Sequence, residues 1–378
     1  MHALNTADIL SGATPLARVE AWESSRKPGA QRLQRVVEAS TIFNKAIEGN
    51  PLAQFELQTA MENMSTSDFP VLLGAAFEIE MLARYEALPS TWEQWCLRTL
   101  VKDFKPKKFV DFFGGRRAFD LVPEGTEYTA RDRDEAEHTI RVRKYGNKFD
   151  LTFELIKNAE FDTLAGLPDD LAVSARETED VNATRLLVND KGINADFFNT
   201  ANGNAPKSLA LTRENVKAAL KELAQRKGPD GKTINLAAGV NLIVPTSLAF
   251  EAEEVVTAER VEVTSGNEKT TVRNSITGKV TPVVVPTLEE VDQSATAATT
   301  WFLAPKKDAA RPAFVVAFMR GQENPDIRVK SDTGSRVGGG AIAPEEGSYN
   351  DDTVSYRGRH IVGAATLAHQ HTFASKGQ

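Results

Sequence analysis

Tyr145-Gly146-Asn147-Lys148-Phe149-Asp150-Leu151-Thr152-Phe153-Glu154-Leu155-Ile156-Lys157-Asn158-Ala159 is the stretch on which the fold turns. Within it, Phe149-Asp150-Leu151-Thr152-Phe153 alternates apolar and polar residues, the period of a strand with one face buried. Just upstream, Thr139-Ile140-Arg141-Val142-Arg143 alternates in the same way. Between them and Pro123 the chain is polar and carries Arg131, Asp132, Arg133, Asp134, Glu135 and Glu137. From Phe109 to Phe153 the pattern predicts a long two-stranded projection with a charged tip. Two strands alone are marginal in water, so such a projection is expected to lie on a neighbouring molecule.

Downstream the period changes to that of a helix. Pro168 reads as a first-turn proline, Asp169 and Asp170 as partners of the N-terminal dipole, and the pattern runs to about Val188. The apolar stripe is narrow: Leu171, Ala175, Val181 and Leu186 or Leu187, with Arg176, Glu177, Glu179 and Asp180 elsewhere. A long helix with so thin a stripe reads as a spine touching a sheet along one side.

Working outward, the first hundred residues read as short amphipathic helices. Leu33, Val36, Val37, Phe43 and Ile47 recur mostly at helical spacing, and Phe77, Met81, Leu82 and Tyr85 fall on one face after a possible cap at Thr66-Ser67-Asp68. Breaks at Lys27-Pro28-Gly29 and Gly49-Asn50-Pro51 separate these helices, as in an arm that packs on something else. Beyond Leu211, helix and strand alternate. Thr212 caps a helix with Val216, Ala219, Leu220 and Leu223, and a turn at Gly228-Pro229-Asp230-Gly231 leads to a buried strand at Val240–Pro245. A helix follows through Phe250 to Val256, and Thr257 to Thr281 reads as a hairpin or long loop. Strands are expected at Val283–Val285, Trp301–Ala304, Phe314–Phe318, Ile327–Lys330 and His360–Thr366, the last after a glycine-rich loop from Ser331 to Asp352.

Bulk composition narrows the class. The chain has 378 residues, 41% hydrophobic and 26% charged, which suits two or three folded lobes and excludes a disordered tail. A net charge of −7 argues against a dedicated nucleic-acid binder, whose affinity comes mainly from neutralising phosphates. The single cysteine, Cys96, cannot form an intramolecular disulfide and sits among Trp92, Trp95, Leu97 and Leu100 as a small core residue, so a reducing compartment fits. No apolar run approaches the ~18 residues of a membrane span, and Met1 to Ser11 has no signal-peptide pattern, so the chain is expected to be intracellular when made.

No catalytic constellation emerges. His369 and His371 are spaced to face one side of a strand but have no nearby acid or thiol, while His2, His138 and His360 are isolated. Gly338-Gly339-Gly340 leads into Ala341-Ile342-Ala343-Pro344, and neither the helix nor the Lys-Ser or Lys-Thr pair of a phosphate loop follows. The adjacent acids Asp169-Asp170 and Glu345-Glu346 read as dipole partners or solvated charges. Catalytic, cofactor and metal residues are all expected to be none. The cationic sequence Gly114-Gly115-Arg116-Arg117 could touch phosphate, but it lies at the projection's edge, where the acids of another subunit are at least as ready a partner.

The order of these elements resembles that of the major capsid proteins of tailed bacteriophages, the Hong Kong-type head fold, over roughly Asp103 to Ser375. The Tyr145–Ala159 stretch is similar to the family's strand leaving its extended loop, and Leu164–Val188 to its spine helix. Asn241-Leu242-Ile243-Val244-Pro245-Thr246-Ser247-Leu248 resembles the axial strand-then-helix. Tyr356-Arg357-Gly358-Arg359-His360-Ile361-Val362-Gly363-Ala364-Ala365 and Thr372-Phe373-Ala374-Ser375-Lys376-Gly377 resemble family C-termini. The resemblance implies an α+β fold divided into a helical N-terminal arm (1–104), an extended loop (105–150), a peripheral domain with the spine helix (151–210), an axial domain (211–300), and return strands with a C-terminal tail (301–378).

It also implies a structural role. Identical subunits are expected to form hexamers and pentamers of an icosahedral phage head around double-stranded DNA, without sequence-specific binding, cofactor, membrane or enzymatic activity. Portal and scaffolding proteins, and a decoration protein, are the other expected partners, and the virion, assembled in the bacterial cytoplasm, is the expected location. Subunit contacts are expected at Arg116, Arg117, Arg131, Arg133, Glu135, Arg141, Arg143 and Lys144. Some relatives cross-link a loop lysine to a neighbour's asparagine; Lys107, Lys108 and Lys144 lie in that region, but no buried acid can be placed beside them and no cross-link is expected. The alternatives are an encapsulin-like nanocompartment shell around a cargo enzyme, an enzyme whose site forms only in three dimensions, and an adaptor that closes into rings and stops.

Overall fold

The computed structural model describes residues 42, 45, 50–53, 55, 69–113, 134–152, 161–227, 239–258, 260–265, 268–309, 311–330 and 353–377. Most of the first arm helix, the Thr66-Ser67-Asp68 cap, the projection's tip, the Gly228–Gly231 turn and the Ser331–Asp352 loop lie outside them. The chain divides into two compact units, each assembled from separate stretches: residues 1–89, 144–178 and 320–361, and residues 90–143, 179–319 and 362–378.

In the first unit, helix α1 (Phe69–Ala87) presents Phe77, Met81 and Tyr85 at four-residue spacing, so all three fall on one face and all are buried. They pack against Ala172 and Ala175 of helix α2 (Phe161–Thr184), Ile327 of strand β13 (Asp326–Val329), Val354 and Tyr356 of strand β14 (Thr353–Thr366), and Leu151 of strand β4 (Arg143–Thr152). Tyr356 anchors the cluster: Phe77 meets its ring edge-on at 5.9 Å and Phe149 stacks on it at 5.4 Å. Arg176 lies 3.8 Å over the Tyr85 ring and donates its Nε–H to the Tyr85 carbonyl at 3.0 Å.

Two glycines set how closely these elements approach. A Cβ at Gly146 of β4 would collide with the Gly358 carbonyl of β14, and one at Gly358 would come 2.7 Å from Leu171 Cδ2 of α2. The glycines quoted from the two sequence motifs therefore meet in space.

The second unit holds a four-stranded sheet ordered β10-β7-β11-β15, from β7 (Val240–Val244), β10 (Val280–Val284), β11 (Trp301–Pro305) and β15 (Phe373–Ser375). Strand β7 runs parallel to β10 and antiparallel to β11. Every residue of the central strands β7 and β11 is buried, and so is every residue of the edge strand β15. Helices α3 (Arg213–Gln225) and α4 (Ala249–Thr257) pack here through Val216, Ala219, Leu223, Ala252 and Val256. The predicted Thr212 cap is present, its Oγ1 accepting the Asn215 N–H at 3.3 Å. A hairpin of β8 (Arg260–Ser265) and β9 (Glu268–Arg273) occupies the predicted threonine-rich stretch. In the same unit β1 (Leu97–Val101) runs parallel to β12 (Phe314–Met319), which pairs antiparallel with the Val362–Thr366 end of β14.

Some expectations are corrected. Helix α2 begins at Phe161, so Pro168 lies inside it and Asp169-Asp170 are well past its first turn. Pro168 leaves the Leu164 carbonyl without its helical donor, and the helix continues because packing of the α2 stripe supplies what the missing bond does not. Asp169 serves an ion pair with Arg84 at 2.9 Å and not the dipole. Strand β14 starts at Thr353 and not at His360, with Val354, Tyr356 and Gly358 turned inward. His369 and His371 lie in a turn and its lead-in, not on a strand.

Candidate assembly interface

The predicted projection is a two-stranded ribbon of β2 (Lys107–Phe113) and β3 (Asp134–Ile140), paired from Lys107↔Ile140 to Phe113↔Asp134. It is shorter than the alternation suggested. Strand β4 does not continue it but pairs with β14. The chain turns out of the ribbon at Arg141-Val142, where the alternation has a direct structural consequence: Ile140 and Val142 are buried, while Arg141 and Arg143 are exposed. Gly363 makes room for that turn, because a Cβ there would run into the Arg141 carbonyl. The ribbon thus leaves the unit on two apolar pins and displays cations between and beyond them.

Of the predicted contact residues, Arg141, Arg143 and Lys144 are exposed at the ribbon's return. Glu135 sits on β3 opposite Phe112. Arg116, Arg117, Arg131 and Arg133 lie outside the described residues. The opposite shoulder of the ribbon is exposed without interruption from Lys102 to Lys108, and it includes Phe104 at 43% exposure. Sequence reasoning missed this aromatic, and it also missed Phe250 on α4, which is 84% exposed. Phe250 was legible on a helical wheel: its neighbours at i+3 and i+4 are Glu253 and Glu254, so no apolar stripe includes it.

Cys96, Asp180 and Glu179 are engaged in the packing of the second unit. Cys96 is buried, and that burial, followed by the Asp180 charge, raises its thiol pKa well above the ordinary range, which keeps it protonated. Asp180 accepts hydrogen bonds from the Thr91 N–H, the Thr91 hydroxyl and the Trp92 N–H at 2.7–3.1 Å. Burial raises its pKa although those bonds oppose the rise. Trp92 Nε1–H donates to Glu179 Oε2 at 2.9 Å, so this acid pair fixes the 3₁₀ turn Trp92–Gln94 to α2 within the second unit. Among the described residues no three His, Cys, Asp or Glu side chains are grouped as a metal site would need, and no helix is long and apolar enough to cross a membrane.

No curated protein sequence matches the chain. Among solved structures, the chain is similar to that of Mycobacterium phage Ogopogo, at 12% identity and a TM-score of 0.42, over 74% of this chain and 89% of that one. For Gordonia phage Cozz the values are 11%, 0.45, 75% and 84%. For the head of Helicobacter pylori bacteriophage KHP40 they are 10%, 0.45, 74% and 86%. The assignment rests on the sequence-family comparison: the model described as phage capsid protein matches residues 135–374, from the outgoing ribbon strand through α2, the four-stranded sheet and β14 to β15. Nearly two thirds of the chain, including all of the quoted motifs but the last residues of the C-terminal one, lies in that match, and the protein belongs to the phage capsid protein family.

Proposed function

We propose that this chain is the major structural subunit of a tailed-phage head, assembling into hexamers and pentamers of an icosahedral shell that encloses double-stranded DNA. The observation that carries the reading is the family match over residues 135–374. The ribbon supports it physically. Two seven-residue strands form a sheet of their own, a construction that gains little alone and much from lying across a neighbour. Its cations at Arg141, Arg143 and Lys144 suit register-setting ion pairs between subunits, each weak when exposed but additive over many repeated contacts.

The four-stranded sheet with α3 and α4 serves as the axial domain in this reading, and α1, β4, α2, β13 and β14 contribute the peripheral domain. Portal, scaffolding and decoration proteins are the natural further partners, and the role is structural rather than catalytic. A mildly acidic subunit also suits a container that must later release its DNA, since a strongly basic wall would hold it.

Electron microscopy of the purified protein, expressed with and without its neighbouring genes, tests the reading. Closed shells or capsomer rings are the expected result. A discrete monomer or dimer under both conditions would overturn it.

A further inference from the structure

Two exposed surfaces of the second unit have matching composition and opposite charge. On the ribbon's shoulder, Phe104 stands among Lys102, Lys105, Lys107 and Lys108, all exposed. Because Lys107 pairs with Ile140, the exposed Arg141 and Arg143 lie at the same end of the ribbon as this run. The acid in this run, Asp103, turns its carboxylate back to accept the Lys105 backbone N–H at 3.1 Å. On α4, Phe250, Glu253, Glu254 and Thr257 follow the i, i+3, i+4, i+7 spacing of one helical face, while Ala252 and Val256 occupy the face buried against the sheet. Glu251, Glu253 and Glu254 are all exposed, and α4 carries no basic residue.

From this we infer that the Phe250 face of α4 docks on the Phe104 shoulder of a second copy of the chain. The inference rests on the assembly reading above and names its contact. Within one copy the two surfaces do not satisfy each other, since both remain exposed. Between copies, each aromatic gains apolar cover and the carboxylates meet ammonium groups, the complementarity that selects a partner and its register. The two patches are different parts of one chain, so the contact is head-to-tail. Repeated head-to-tail contacts close into rings, the symmetry that a capsomer requires. Nucleic acid could account for the lysines but not for the acidic aromatic face. A second copy accounts for both.

The test uses the full chain with its assembly partners and three variants: Lys105→Glu with Lys107→Glu, Glu253→Lys with Glu254→Lys, and all four together. Each pair should lower the assembled fraction by about tenfold or more, because like charges then face each other, and the fourfold variant should return to within about twofold of the parent. All four side chains are exposed, so unchanged thermal melts of the subunits exclude misfolding as the cause. As a second measurement, Phe104→Cys with Phe250→Cys, treated with a short bis-maleimide, should give a ladder of covalent oligomers, while either cysteine alone, with no thiol across the contact, stays monomeric; native Cys96 is buried and does not compete. Parent-like assembly of both charge-reversed pairs, or no recovery in the fourfold variant, would overturn the contact and leave the proposed function standing. Shells that form normally but lose DNA only in the lysine variant would assign that shoulder to nucleic acid and overturn the contact as well. Failure of the parent chain itself to assemble would overturn both.

Discussion

The ribbon β2–β3 and the sheet β10-β7-β11-β15 invert the usual relation between strand length and burial. The ribbon's strands are seven residues long, whereas β7 and β11 have five each. Yet every residue of β7 and β11 is buried, while the ribbon exposes Lys107, Lys108 and Thr139 and is pinned at Ile140. Cover, and not length, separates the two. The sheet has α3 and α4 packed on it and a cluster that includes Leu242, Trp301 and Phe373; the ribbon's own sheet is only two strands wide. One region buries its strands under its own helices, and the other leaves its base exposed.

The sharpest way to break that contrast is a pair of changes with opposite outcomes. Trp301→Ala removes a fully buried side chain whose indole N–H donates to the Leu209 carbonyl at 2.8 Å. It should cost the isolated subunit about 3–5 kcal/mol, read as a lower denaturation midpoint. Replacing residues 111–136 by a tight turn should shift the same midpoint by no more than about 0.5 kcal/mol while abolishing shells in electron micrographs. A large loss of subunit stability on trimming would show that the ribbon is part of the folding core.

Next in size are the glycine contacts of the first unit. Gly146→Ala sets a methyl against the Gly358 carbonyl, backbone that cannot swing aside, and should cost about 1–3 kcal/mol. Gly358→Ala meets only the end of the Leu171 side chain and should cost less. Equal costs in thermal melts would show that β14 shifts as a whole.

The smallest expected effect sharpens the description of the ribbon's base. Burial, then the nearby His138 of β3 and Arg226, holds the His369 pKa below its ordinary value of 6.5. A histidine whose folded pKa is lowered binds protons more readily in the unfolded chain. Its contribution is complete above the unfolded value of about pH 6.5 and is lost as the pH falls from there through the lower folded pKa. Melting temperature should therefore decline modestly from about pH 7 to about pH 5, and His369→Gln should flatten the decline. An unchanged slope in that variant would remove His369 as its source.

Legibility in the sequence follows the range of the forces involved. The Thr212 cap, the Phe77, Met81 and Tyr85 stripe, the buried β7 and the hairpin at 260–273 were readable because each depends on a period or a partner a few residues away. The exposure of Arg141 and Arg143 was readable for the same reason, since strand alternation with buried Ile140 and Val142 turns them outward. Phe104 was not: exposure of an aromatic in a loop depends on what fails to pack over it, which no local pattern records.

By itself, then, the sequence determined the Thr212 cap, the apolar stripe of α1, the buried β7, and the order of elements that resembles a phage capsid subunit. The tertiary structure decided that α2 extends through Pro168, that β4 leaves the ribbon to join β14 through Gly146 and Gly358, and that Phe104 among its lysines stays uncovered. The physical reason is the same in each case. Periodicity and capping act within one or two turns of chain, whereas a tolerated proline, a strand's choice of partner and an exposed ring are settled by segments as far apart as Gly146 and Gly358 competing for the same core.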